Sequence, residues 1–197
     1  MRILIIGATG TIGQAVCEAL ADGNEVVPVS HKSTEIKVDL SSTDSIRRMW
    51  ERVGKVDAAI CAAGSGRFKP LEQLTDEDFV FSIGNKLMGQ VNVIRLGLDN
   101  ITDGGSITVT SGVLARMPMK GSGAISLINA GLDGFVRAAA LEAPRGIRIN
   151  SISPPWVTET LIKMKMDASN GMPARDVAKA YVDSVSGTKT GQIIEPS

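Results

Sequence analysis

Ile3-Leu4-Ile5-Ile6 is a continuous apolar run, and Gly7-Ala8-Thr9-Gly10-Thr11-Ile12-Gly13 follows it at once. So short a run, apolar at every position, reads as a parallel strand covered on both faces. Beyond it, Ile12, Val16, Ala19 and Leu20 recur at helical spacing until Asp22-Gly23 stops the pattern. The segment is therefore a strand, a tight glycine turn and a helix. Its glycines let the backbone turn sharply, and the helix start offers free N–H groups that favour an anion. The turn is a candidate cradle for a pyrophosphate.

The same alternation continues to the end of the chain. Val26–Val29 and Ile36–Val38 predict two more strands, Thr43–Val53 a helix capped by Ser42 or Thr43, and Asp57–Cys61 a fourth strand. The pattern then predicts one long helix over Asp76–Leu98, a strand at Gly105–Thr110 and a long helix over Ala124–Glu142. A strand at Ile147–Ile152, a helix over Ala174–Val185 and a short strand at Gln192–Ile194 complete it. Strands alternating with helices throughout predict a doubly wound parallel sheet of about seven strands, a Rossmann fold. At 197 residues the chain is expected to form one domain over 1–197. Residues 159–173 are the least regular and read as a flap.

Composition removes several classes. Twenty-one basic and 21 acidic residues balance, which gives no general attraction to nucleic acid or to an anionic membrane. His31 is the only histidine, and Cys17 and Cys61 both lie in apolar stretches, so neither a metal site nor a disulfide scaffold is expected. No signal peptide is read at the N-terminus, and no uncharged apolar run approaches the roughly 18 residues of a membrane span. The expected location is the cytoplasm. Cys61 has no evident base beside it, and no nucleophile elbow surrounds Ser111.

The end of the second strand bears on which dinucleotide the turn would hold. An acid there would bond a ribose 2′-hydroxyl, whereas basic and hydroxyl groups suit a 2′-phosphate. The sequence reads Ser30-His31-Lys32-Ser33, with no acid. This favours NADP(H) over NAD(H).

On these motifs the whole chain resembles the short-chain dehydrogenase/reductase family. The glycine turn fits the family's Gly-x-x-Gly-x-x-Gly variant, and Asp39-Leu40 looks like its adenine-contacting pair. Cys61-Ala62-Ala63-Gly64 matches its Asn-Asn-Ala-Gly motif without the asparagines. Ser106–Gly112 matches the segment bearing the substrate-binding serine, here Ser111. Arg148–Pro154 matches the approach to its Pro-Gly motif beside the nicotinamide, with Pro155 in place of the glycine and Trp156-Val157 following. The resemblance thus implies a cofactor site made of Gly7, Thr9, Gly10, Thr11, Ile12, Gly13, the Ser30–Ser33 turn, Asp39, Leu40, Ala62, Ala63, Gly64, Asn129, Pro154, Trp156 and Val157.

The family's Tyr-x-x-x-Lys pair is missing. Aligned on Leu132-Asp133-Gly134-Phe135, the tyrosine position is Ile125 and the lysine position is Asn129. The only tyrosine, Tyr181, lies far downstream. The family's active-site asparagine aligns with Lys86 when counted back from Gly89, which predicts that Lys86 supplies a cation and, with Ser111, polarises a substrate carbonyl. Asn129 keeps hydrogen-bonding capacity without charge. The implied activity is hydride transfer on a small carbonyl or alcohol at an altered active site. The alternative is a non-catalytic dinucleotide-binding protein that senses redox state or regulates a partner. The long, small-residue-rich helices after the fourth and fifth strands imply a homodimer or homotetramer.

Overall fold

In a computed structural model, which describes residues 1–197, seven strands form one wholly parallel sheet. They are β1 Arg2–Ile6, β2 Glu25–Ser30, β3 Ile36–Lys37, β4 Val56–Cys61, β5 Ile101–Thr110, β6 Arg148–Ile152 and β7 Ile193–Ile194. The helices are α1 Thr11–Leu20, α2 Thr43–Val53, α3 Asp76–Ser82, α4 Met88–Gly97, α5 Gly123–Glu142, α6 Thr158–Lys163 and α7 Ala174–Ser186. The strand order is β3-β2-β1-β4-β5-β6-β7. Its direction reverses between β1 and β4, and a ligand crevice opens at the carboxyl ends of strands flanking such a reversal.

Successive strand residues point to opposite faces, so each apolar run feeds two cores. Ile3 and Ile5 of β1 join Val16 of α1 and Val177 and Tyr181 of α7 on one side. Leu4 and Ile6 join Ile46 of α2, Val93 of α4 and Leu132 of α5 on the other. Ser42 caps α2, its hydroxyl accepting from Ser45 N–H at 3.2 Å. Thr75 and Asp78 form a capping box on α3.

Two elements differ from the expectation. The single helix foreseen over 76–98 is broken by a π-helical turn at Ile83–Leu87, where Met88 N–H donates to Ile83 O. The extra residue in that turn lets two adjacent side chains both do work: Asn85 reaches the loop after β4 and Lys86 reaches the end of β5. Single π turns of this kind are frequent at functional sites. The flap foreseen over 159–173 is more regular than its sequence suggests. It contains α6, buries Leu161, and closes through a bridge between Val157 and Met172.

Candidate active site

The crevice at the β1/β4 reversal consists of two neighbouring cavities, which share Ala63 and Gly64 on their walls. The first, about 210 Å³, lies over β1 and β2 and is lined by Gly7, Ser30, His31, Leu40 and the Ala63-Gly64 pair. The second, about 310 Å³, lies toward β5 and β6. It holds Ile12, Ala62, Lys86, Ser111, Asn129 and Pro154, with Trp156 and Val157 on its far wall. Thr9, Gly10, Thr11 and Gly13 make the turn and helix start between strand and crevice. Lys32, Ser33 and Asp39 line neither cavity. Lys32 and Ser33 are exposed beside the first, while the Asp39 carboxylate is spent accepting from Ser41 N–H at 2.9 Å.

The glycine turn is shaped by close approach. A Cβ on Gly13 would stand 1.9 Å from Gly7 O, so no side chain fits there without moving the turn. The start of α1 has no side-chain cap and no acid in its first turn, which leaves its N–H groups and positive dipole end free for phosphate. At the end of β2 the buried Ser30 hydroxyl accepts from Ser33 N–H at 2.9 Å and lies 3.1 Å from the Thr34 hydroxyl, which donates to Ile36 O at 2.6 Å. Ser30 thus fixes the turn that presents His31 and Lys32. Glu35, the nearest acid, is turned to Arg52 at 2.8 Å.

Residues behind the second cavity hold its polar end rigid. Gln90 of α4 is fully buried and clamps Thr110 from both sides, donating to its carbonyl at 2.8 Å and accepting from its N–H at 2.7 Å. The Thr110 hydroxyl donates to Cys61 O at 2.7 Å and therefore accepts from the Tyr181 hydroxyl at 2.6 Å. Tyr181 is thus a strut between α7 and the sheet, and burial pushes its hydroxyl well above the usual tyrosine range. The buried Cys61 thiol is likewise pushed up to about 12 by burial, which leaves it a packed thiol.

Lys86 reaches into the cavity from the π turn and donates to Ser111 O at 2.9 Å. It passes directly over Gly64, where a Cβ would meet Lys86 Cγ at 2.8 Å, and Gly64 has φ +126°. Burial pushes the Lys86 ammonium down to about 8, with Asp133 opposing that shift. Asn129 is buried, with its Nδ2 near Gly112 and its Oδ1 without a partner. Ile125 stands on the wall of the second cavity. The structure therefore brings Lys86, Ser111 and Asn129 together on the wall of one cavity. Sequence reasoning did not single out Gln90, Thr110 or Asp133 as site residues. Their only advance signal was polarity at positions whose helix or strand periodicity points inward.

The fold and the crevice define a dinucleotide-binding α/β protein. The profile of the family described as Enoyl-(Acyl carrier protein) reductase matches residues 7–190. The acetoacetyl-CoA reductase of Allochromatium vinosum is 30% identical over 208 residues, covering 89% of this chain and 85% of that protein. The hydroxynaphthalene reductase arp2 of Aspergillus fumigatus is 28% identical over 158 residues, covering 77% of this chain and 55% of its own length. The crystal structure of the protein lin1944 from Listeria innocua superposes with a TM-score of 0.96 at 40% identity over the whole of both chains. The chain belongs to the short-chain dehydrogenase/reductase family of oxidoreductases.

Proposed function

We propose that the protein is an NADPH-dependent reductase of small carbonyl compounds, in which Lys86 and Ser111 take over the polarising role that a tyrosine and lysine fill in the family. The observation that carries this reading is the convergence of Lys86, Ser111 and Asn129 on one apolar-walled cavity of about 310 Å³ beside the glycine turn. The residues fit a dinucleotide. The capless α1 start and the Gly7–Gly13 turn would hold the pyrophosphate, the first cavity the adenosine half, and the second the nicotinamide with substrate beside it. Bound there, the reduced cofactor supplies hydride. The chain's part is to fix the carbonyl, exclude water with Val113, Leu114 and Trp156, and place positive charge by the developing oxyanion.

Lys32, with no acid in the Ser30–Ser33 turn, supports NADPH over NADH. Fluorescence titration is expected to show tighter binding of NADPH. Lys32→Ala should weaken NADPH roughly tenfold, the size of one charge-assisted contact, and leave NADH unchanged. No binding of either nucleotide would overturn the cofactor assignment. With NADPH bound, oxidation of the nucleotide in the presence of acetoacetyl-CoA or ethyl acetoacetate tests the chemistry. Binding without turnover would favour the second reading, a redox-sensing or regulatory protein, to which Ile125 on the cavity wall already points.

The outer face of α5 supports self-association. Leu127 and Leu141 are 49% and 88% exposed there, and Met88 at the start of α4 is 41% exposed. By length and composition α5 is the one helix apolar enough to cross a membrane, yet its inner face packs on the sheet through Leu132 and Val136. Burial of the outer face between copies, as a homodimer or homotetramer in the cytoplasm, accounts for it. Sedimentation at micromolar concentration is expected to show the oligomer, and a sharp monomer boundary would count against it.

A further inference from the structure

Behind Ser111, one helical turn along α5 from Asn129, lies a carboxyl group that the reading above does not use. Asp133 is 5% exposed, and its Oδ1 has no hydrogen-bond partner. The hydroxyls of Ser111, just after β5, and of Ser151 in β6 lie beside it, close enough to bias its ionisation though neither makes a hydrogen bond to it. The Ser151 hydroxyl is also without a partner, and the Ser111 hydroxyl has only a long contact of 3.5 Å to Ile152 O. With Asn129 Oδ1, this makes three buried polar atoms without a hydrogen-bond partner on α5 and β6. An unpaired buried polar atom costs on the scale of a lost hydrogen bond, so a cluster of them calls for an explanation beyond packing.

We propose that Asp133 acts through Ser111 as the proton source for reduction, standing in for the missing tyrosine. As the carbonyl carbon receives hydride from the reduced cofactor, its C=O π pair becomes an O–H bond with the Ser111 hydroxyl proton. Ser111 Oγ regains a proton from the Asp133 carboxyl group, and Asp133 is left as a carboxylate. Solvent reprotonates it after product leaves. Asp133 touches neither substrate nor cofactor and is a positioning residue; Ser111 is the catalytic one.

The surroundings suit this cycle. Burial is the largest influence on Asp133 and pushes it above the usual aspartate range, which favours the protonated, proton-donating form. The Ser111 and Ser151 hydroxyls, Arg137 on the same helix and Arg116 after β5 oppose that shift and favour the carboxylate. The Asp133 charge in turn favours the ammonium form of Lys86, which comes from the π turn. Arg116 is itself anchored to Glu195 at 2.9 Å. These charges stabilise the carboxylate once the proton has gone.

The inference rests on the reductase reading, and two measurements separate their failures. In the full-length protein with 13Cγ-labelled aspartate, the Asp133 resonance is identified by its loss in Asp133→Asn, and its titration is followed by NMR. A midpoint well above that of the other aspartates, moving further up in Ser111→Ala, is the expected result. An ordinary midpoint near about 4, unmoved by Ser111→Ala, overturns the proposal whatever the enzyme turns over. With ethyl acetoacetate and NADPH, Asp133→Asn is expected to lower kcat by ~10²-fold, with KM and NADPH affinity within threefold of wild type. It should also remove the basic limb that Asp133 gives the kcat profile. Undiminished kcat in Asp133→Asn overturns the proposal. If wild type binds NADPH and reduces no carbonyl probe, the reductase reading fails and the NMR titration alone decides the Asp133–Ser111 pair.

Discussion

Lys86→Met is expected to lower kcat/KM for carbonyl reduction by ~10²–10³-fold while leaving NADPH binding intact. The factor is that of removing one preorganised donor from a developing oxyanion. Methionine keeps the stem that lies over Gly64 and removes only the charge and the bond to Ser111 O. The pH dependence gives an independent check. The ammonium is present below about 8, so the wild-type rate is expected to fall about tenfold per pH unit above it. Lys86→Met should lose that added fall above pH 8 and keep the separate basic limb that Asp133 gives.

The same substitution should stabilise the fold. Lys86 is held down to about 8, against 10.5 for an ordinary lysine. Between those values the unfolded chain holds a proton that the folded chain has lost, so stability rises with pH across that window. Below pH 8 both states are charged and the full penalty is present, on the order of 3 kcal/mol. The lost bond to Ser111 O returns about 1 kcal/mol of that. Lys86→Met should therefore gain about 2 kcal/mol at pH 7, and the gain should vanish by about pH 10.5. Paired denaturant melts at the two pH values read this directly. Equal activity in variant and wild type would remove Lys86 from the chemistry, and a loss of stability at pH 7 would mean that its charge is not a burden.

Gly13→Ala is expected to be the most damaging single-methyl change in the chain. Its Cβ would lie 1.9 Å from Gly7 O and 2.7 Å from Gly7 C, both backbone atoms that no rotamer can move aside. Ordinary overpacking costs about 1–3 kcal/mol, and this clash lies at or beyond the upper end. For a domain of this size that corresponds to a fall in Tm of about 10 °C. Relief of the clash pushes the glycine turn off the start of α1 and misaims the N–H groups meant for phosphate. NADPH affinity should drop about 100-fold or more even in the fraction that remains folded. An unchanged Tm with full NADPH affinity would show that the turn is looser than its geometry implies.

Much of this molecule was legible in the chain. Ile3–Ile6 is apolar at both pleat faces, and only a sheet covered on both sides accepts such a run. With Gly7, Gly10 and Gly13 behind that run, the parallel sheet and the crevice at the end of β1 follow from residue order alone. That Ile125 and Asn129 stand where the family resemblance would put a tyrosine and a lysine was likewise read from residue identity alone. Register, in contrast, is set by backbone geometry. The π turn at Ile83–Leu87 has no signature in residue type, yet it alone turns Lys86 toward Ser111 and Asn85 toward Ser65. Tyr181 is far from the family's position in sequence, and packing of α7 on the sheet decided that it braces Thr110. Asp133 is an unremarkable helix residue until β5 and β6 close over it and leave its Oδ1 without a partner. Periodicity along the chain fixes which residues go inward. Which polar groups then meet there depends on contacts between segments 20 to 71 residues apart, which only the folded structure makes.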